Sequence, residues 1–181
     1  MIQPVTYIKN NLTCTIRTAE VADAHELTAV RAKVDEETEF LDRAPGEGVL
    51  DEQAFQRLIQ NDRETGNHLF LVATVQDRIV GFSRCEGSPL SRKAHVVEFG
   101  VGVLEAYWGL GLGSALLQAS IDWAEQIGLV KMSLSVLETN QKAASLYKRY
   151  GFEVEGVLRK DKRLADGSYY DTLLMGRTFE T

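Results

Sequence analysis

Apolar and polar positions along the chain change period several times, and those changes mark out its elements. Leu12 to Arg17 alternates and predicts a first strand, with Met1 to Asn11 ahead of it as a loose or edge extension. From the capping residue Thr18 onward, Val21, Ala24, Leu27, Thr28 and Val30 recur at helical spacing. A loop from Leu41 to Gly48 breaks that run, and Asp51 to Asn61 predicts a second helix. His68 to Val75 and Arg78 to Glu86 predict a hairpin turning at Gln76-Asp77, with Gly81 marking a bulge. Val97 to Val103 carries β-branched and aromatic residues on alternate positions and predicts a buried strand. A helix then runs from Gly113 to Ile127 with a buried stripe of Leu116, Leu117, Ser120, Ile121, Ala124 and Ile127, and Gly128 ends it. Lys131 to Val136 predicts a fifth strand. Glu153 to Leu164 and Tyr169 to Phe179 predict a closing hairpin, because Asp166-Gly167 is a strong turn signal between alternating runs.

The chain is organised around the junction between the Val97–Val103 strand and the helix from Gly113. Between them lies Tyr107-Trp108-Gly109-Leu110-Gly111-Leu112-Gly113-Ser114. Glycines at alternate positions let the backbone turn tightly and leave its N–H groups bare. Those donors sit where a helix begins, so they and the positive end of the helix dipole face one point, as binding a pyrophosphate requires. A turn alone needs one glycine, whereas this loop has three.

Known phosphate loops fit this stretch unequally. A Walker-A loop ends in Gly-Lys-Ser/Thr, but Ser114 follows Gly113 directly. A dinucleotide fingerprint needs a further glycine where this chain has Leu116, and Glu138 lies too far along to serve as its acidic residue. The remaining pattern, Arg/Gln-x-x-Gly-x-Gly/Ala between strand and helix, resembles the acyl-CoA loop of the GCN5-related N-acetyltransferase (GNAT) family. Gly111 and Gly113 match it, and Trp108 stands where the family usually has Arg or Gln. A second block, Asn140-x-x-Ala143-x-x-Leu146-Tyr147-x-x-x-Gly151-Phe152, resembles the same family's C-terminal motif. Asn140 and Tyr147 are seven residues apart and so share a helix face, with Ala143 and Ala144 keeping the surface between them low. Asn140 is equally a favoured helix cap, and Tyr147 a core aromatic with its hydroxyl at the rim.

The resemblance covers about half of the chain at motif level and all of it in element order. It implies an α/β fold: one domain over residues 12–181, with a mixed, largely antiparallel sheet flanked by helices on both faces. It also implies acetyl-CoA as co-substrate. The binding residues it implies are Val101, Val103, Trp108, Gly109, Leu110, Gly111, Leu112, Gly113, Ser114, Asn140, Ala143 and Tyr147. The implied activity is transfer of acetyl to a primary amine, whether a small molecule, a protein N-terminus or a lysine, by direct attack in a ternary complex. Two other readings stay open: a non-catalytic acyl-CoA-binding or sensing domain, and, more remotely, a nicotinamide-dependent oxidoreductase.

Composition narrows the partners. The length of 181 residues suits one domain with a substantial core, and a net charge of −6 argues against nucleic acid. Cys14, Cys85, His25, His68 and His95 lack metal-ligand spacing, so no metal is expected. No apolar run reaches membrane-spanning length and Met1-Ile2-Gln3-Pro4 begins nothing like a signal peptide, so a cytoplasmic protein without membrane partners is expected. Oligomeric state, a homodimer included, is left open.

Acyl transfer from a thioester to an amine needs a neutral nucleophile, a polarised carbonyl and a proton for the departing thiolate. Glu98 is the candidate base: it leads into the glycine loop, and Gly100 and Gly102 share its strand face and leave room beside it. A carboxylate partly withdrawn from water is the stronger base. Pairing with a neighbouring cation is the competing reading of Glu98, and His95 is a weaker candidate base. The backbone N–H of Val101 or Val103 is placed to polarise the carbonyl where neighbouring strands splay, as the resemblance also implies, and Tyr147 to protonate the sulfur. Asp35, Glu36, Glu37, Glu39, Asp42, Glu47, Asp51 and Glu52 stand against the single Arg43 and suggest either a negative funnel for a cationic amine or a solvated surface. Lys142, Lys148 and Arg149 are candidate partners for cofactor phosphates.

Overall fold

The computed structural model describes residues 1–180. In chain order the elements are β1 (Val5–Lys9), β2 (Leu12–Thr18), α1 (Ala24–Glu37), α2 (Glu52–Glu64), β3 (Leu69–Val75), β4 (Arg78–Gly87) and β5 (Val96–Val103). They continue with α3 (Leu112–Gln126), β6 (Lys131–Leu137), α4 (Gln141–Arg149), β7 (Glu153–Arg163) and β8 (Tyr169–Thr178). One eight-stranded sheet has the order β1-β2-β3-β4-β5-β6-β8-β7. Every neighbouring pair is antiparallel except β5 and β6, which α3 joins by a crossover.

Helices cover both faces. The leucines of α3 (Leu112, Leu116 and Leu117) pack with Tyr147 of α4, Phe152 and Met175 on one side. Leu27 and Val34 of α1 pack with Phe55 and Ile59 of α2 on the other. β3 runs through the middle: Leu69, Leu71, Ala73 and Val75 face the first core, Phe70 and Val72 the second. That double burial explains why its sequence is a continuous apolar run rather than an alternation.

Several boundaries differ from expectation. The first strand is not Leu12–Arg17 but β1, an edge strand formed by Val5–Lys9 within the expected N-terminal extension. None of its five residues is fully buried, so it carries no core-facing period to read. Thr18 does not cap a helix; it ends β2, and its hydroxyl accepts from the Ile2 N–H at 3.1 Å. A short 3-10 turn at Val21–Asp23 leads into α1, which runs on to Glu37 because Val34 continues the buried stripe. The hairpin between β3 and β4 turns at Gln76 and Asp77 with positive φ, and its register slips beside Gly81. In α3, Trp123 joins the buried stripe while Ile127 is exposed.

Candidate active site

The glycine loop is held by its leucines and left open by its glycines. Leu110 and Leu112 are buried in the α3-side core. Gly109 and Gly111 take φ of +85° and +82°, a left-handed conformation that L side chains rarely adopt. Gly113 differs: it already lies in α3, and a Cβ there would meet nothing within 4 Å. The fold therefore does not require glycine at Gly113. The first helical hydrogen bond is Ala115 N–H to Gly111 O at 2.9 Å, and no side chain caps α3. The N–H groups of Leu112, Gly113 and Ser114 thus have no acceptor among the described residues. Trp108 is tied back to the strand by its indole Nε1–H, which donates to Val103 O at 2.8 Å.

β5 and β6 part beside this loop. Their pairing covers only Val96, Val97 and Glu98 against Lys131, Met132 and Ser133. Leu104 N–H donates to Val80 O at 2.9 Å, so by antiparallel alternation the even-numbered positions of β5 bond to β4. The odd positions turn their N–H groups the other way, toward β6, and past the last pair, Glu98 with Ser133, those of Val101 and Val103 face a β6 that has moved off. The splay expected around Val101 and Val103 is present.

On the α1/α2 face this opening leads into a cavity of about 530 Å³. Val101 from β5 and Ser135 from β6 both line it, so the cavity reaches the gap between the strands. Its wall includes Glu98 and Gly100, as the strand parity predicted, and an apolar patch of Leu41, Leu50, Phe55, Phe70 and Phe82. A Cβ on Gly100 would meet nothing within 4 Å, so this mid-strand glycine, like Gly113, leaves space that the fold does not use. Glu98 is not withdrawn from water as expected; it is exposed at the cavity wall. It has no hydrogen-bond or ion-pair partner among the described residues, so the competing reading of a paired carboxylate finds no cation there. His95 is exposed and outside this wall.

The acidic run before α2 is committed elsewhere. Asp35 takes two hydrogen bonds from Arg43 at 3.0 and 3.1 Å, Asp42 pairs with Lys162, and Asp51 caps α2 through the Ala54 N–H. Glu36 pairs with Lys33 and Glu52 with His25. Glu37, Glu39 and Glu47 accept from the backbone N–H groups of Glu105, Ala165 and Ala44. Each of these carboxylates therefore also helps to hold the loop and the helix ends.

On the opposite face of the sheet, Asn140 is the N-cap of α4, its Oδ1 accepting from Ala143 N–H at 3.2 Å. Tyr147 is a core aromatic, its ring edge-on to Phe99 at 6.5 Å and tilted against Phe152 at 5.9 Å. Burial pushes its phenol up to about 12, so the hydroxyl keeps its proton at neutral pH. Ala143 is half-buried beside it.

Some residues at the loop were not expected. The Tyr7 hydroxyl donates to Leu110 O at 3.2 Å, and Lys9 Nζ lies 3.8 Å from where a Gly111 Cβ would stand. Both come from β1, whose pattern predicted no packing partner. Lys142 Nζ sits 5.9 Å from the Trp108 ring, bringing a cation to the position where the loop pattern usually carries Arg or Gln. Among the described residues, no group of three or more His, Cys, Asp or Glu is placed to hold a metal, and no helix is long and apolar enough to cross a membrane.

Comparison with known proteins matches residues 33–152 to the family model described as "Acetyltransferase (GNAT) family". The chain belongs to this family. An L-amino acid N-acetyltransferase of Escherichia coli (strain K12) is 32% identical over 108 residues, covering 59% of this chain and 66% of that protein. The chain spans 66%, 68% and 59% of the length of three relatives that it matches in sequence. Over nearly the whole chain, a GNAT acetyltransferase from Streptococcus pneumoniae has the same fold: TM-score 0.89, 29% identity, 92% of this chain and 99% of that one. The yncA structure of Salmonella typhimurium, solved with its cofactor acetyl-CoA, shares the fold at TM-score 0.80 and 23% identity, over 92% of this chain and 94% of that one. The GNAT family uses acetyl-CoA, and the open donors of Leu112–Ser114, with bare space at Gly113, fit a pyrophosphate.

Proposed function

We propose that this protein transfers the acetyl group of acetyl-CoA to a primary amine held in the cavity on the α1/α2 face. The observation that carries this reading is the parting of β5 and β6. The pairing stops at Glu98, and Val101 and Ser135 line the cavity that bears Glu98; in this reading the gap leads through to the face bearing the glycine loop and Tyr147. In this reading the pyrophosphate lies on the N–H groups of Leu112, Gly113 and Ser114, with the Gly109–Gly111 turn setting their direction. Asn140 and Ala143 flank the thin arm of the cofactor along α4.

Acetyl-CoA, when bound, supplies the thioester. Val101 N–H, turned into the gap, donates to the carbonyl oxygen and stabilises the charge that develops there; Val103 N–H lies next along the same edge. An amine with pKa near ~10 arrives protonated, and Glu98 takes that proton from the cavity side. Tyr147 keeps its own proton and hydrogen-bonds the departing sulfur, while the second proton that the nitrogen sheds as the amide forms neutralises the thiolate. A phenol raised to about 12 holds that proton tightly, so its contribution is a hydrogen bond to developing thiolate charge. Much of the remaining rate comes from holding amine and thioester in one ternary complex.

The test is free-thiol release from acetyl-CoA across a panel of primary amines, including amino acids, decarboxylated amines and short peptides. Amine-dependent release supports the transferase reading. Saturable CoA binding without turnover of any amine would return the protein to the class of acyl-CoA-binding domains.

A further inference from the structure

Behind the cavity lies a buried carboxylate that the proposed transfer does not use. The side chain of Asp62, on α2, is 1% exposed and is held from two sides. His68 Nδ1 lies 2.8 Å from Oδ1, and the same imidazole reaches the Gly87 carbonyl oxygen through Nε2 at 3.0 Å. Arg84 of β4 donates to both oxygens, from Nε at 2.6 Å and from Nη2 at 2.9 Å. A two-pronged pair of this kind fixes the plane of the guanidinium. The remaining nitrogen, Nη1, donates to Glu86 at 2.6 Å.

Register brings this set of contacts to the site. Glu86 of β4 is the direct partner of Glu98 on β5, and both line the cavity. Side chains directly opposite on antiparallel strands share a face, with Cβ atoms about 4.5–5.5 Å apart. Two free carboxylates at that spacing repel, and each strengthens the other's hold on a proton. Arg84 opposes this by occupying Glu86. The other charged groups on this wall are Arg31 of α1, Asp42 paired with Lys162 of β7, and Arg43 paired with Asp35. On β6, Glu98 is opposite Ser133, and Lys131, two residues earlier, is paired with Glu155 of β7.

We infer that Arg84 is a positioning residue: clamped by Asp62 and His68, it engages Glu86 and leaves Glu98 as the carboxylate free for the incoming amine. This rests on the reading of Glu98 as the group that takes the amine's proton. His68, Asp62 and Arg84 act on the reaction only through the charge that Glu86 shows to Glu98.

The experiment follows Glu98 directly. The full chain, isotope-labelled at its glutamate carboxyl carbons, is titrated by NMR, and Glu98→Gln identifies the Glu98 resonance by its loss. The same proteins give kcat/KM against pH. Arg84→Met bares Glu86 and should move the Glu98 midpoint, and the acidic limb with it, upward by about half a unit to one unit, the size of one like charge at this spacing near water. Glu86→Gln keeps Arg84 on Asp62 and frees Nη1, so it should move both downward. The double variant should return both close to wild type. An arginine that only braced α2 against β4 would produce no such reversal of sign. Because Arg84→Met strips Asp62 of a partner, melting temperatures check its fold; if it is unfolded, the downward shift in Glu86→Gln is decisive by its presence or absence. Midpoints that do not move in opposite directions overturn the inference and leave the role of Glu98 standing. Midpoints that move while the acidic limb stays still remove Glu98 as the proton acceptor, and the positioning role falls with it. If no amine turns over, the NMR midpoints decide alone: opposite shifts support the clamp, and any other pattern removes it.

Discussion

Trp108 Nε1–H donates to the Val103 carbonyl oxygen at 2.8 Å, closing the glycine loop onto the last residue of β5. At this position the loop pattern usually carries Arg or Gln, whose side chain can reach a phosphate. The indole instead braces the backbone and carries Lys142 on its ring. In the proposed reading, backbone donors, which no side-chain change removes, are left to hold the pyrophosphate. Replacing Trp108 with Phe keeps an aromatic ring beside Lys142 and deletes only the brace. CoA affinity should fall roughly 3- to 10-fold, the size of one modest hydrogen bond, as read by calorimetric titration. Unaltered affinity would mean that the loop holds its shape without the indole.

Gly111 and Gly113 should respond differently to substitution. Gly111 sits at φ +82°, so a side chain strains the loop itself. Gly113 has ordinary helical backbone and empty space ahead of it, so a side chain obstructs only what binds there. Gly113→Val should leave the melting temperature of the free protein unchanged or slightly raised, since Gly is the poorer helix former. It should abolish the stabilisation that CoA confers. A CoA-induced shift equal to the wild type would show that the pyrophosphate lies elsewhere.

The sequence made the loop legible because glycine spacing, strand parity and helix onset all describe local backbone, and each element lies within a few residues of the next. Glu98, Gly100 and Gly102 could be placed on one face from alternation alone. What stayed hidden depends on distant partners. Tyr7 meets Leu110 across 103 residues, from a strand with no buried side to announce it. The acidic residues from Asp35 to Glu52 left open a negative field or a solvated surface, and that each also has an internal partner is something a charge count cannot see.

Tyr147→Phe keeps the ring against Phe99 and Phe152 and removes the hydroxyl. If that hydroxyl assists the departing sulfur, kcat should fall ~10- to 100-fold with acetyl-CoA affinity nearly unchanged. The same substitution has a readout at high pH. Because burial raises the phenol from 10.0 to about 12, the neutral form is favoured by folding. The associated stability, about 3 kcal/mol, is fully present below pH ~10 and is lost as pH rises toward ~12. The wild type should therefore lose stability over that window more steeply than Tyr147→Phe, as measured by denaturant titration at successive pH values. Parallel losses would place the hydroxyl in water rather than at the edge of the core.

In the proposed transfer, Glu98 is the residue on which the chemistry depends most. Its register partners across the strands are Glu86 and Ser133, and Glu86 is already engaged by Arg84. Glu98 alone among the cavity's carboxylates is unpaired among the described residues, exposed to whatever amine enters. Because it makes no contact that the fold uses, Glu98→Gln should change the melting temperature little, within the range of ordinary surface substitutions. If Glu98 takes the amine's proton as proposed, the substitution removes that acceptor. The acidic limb of the kcat/KM profile should flatten, and activity should recover as pH rises and supplies free amine without help. A Glu98 that only shapes the wall would leave that limb in place and change KM alone. Profiles for wild type and Glu98→Gln, measured with one amine over the same pH range, decide between these outcomes; an acidic limb that survives the substitution assigns the proton to another acceptor.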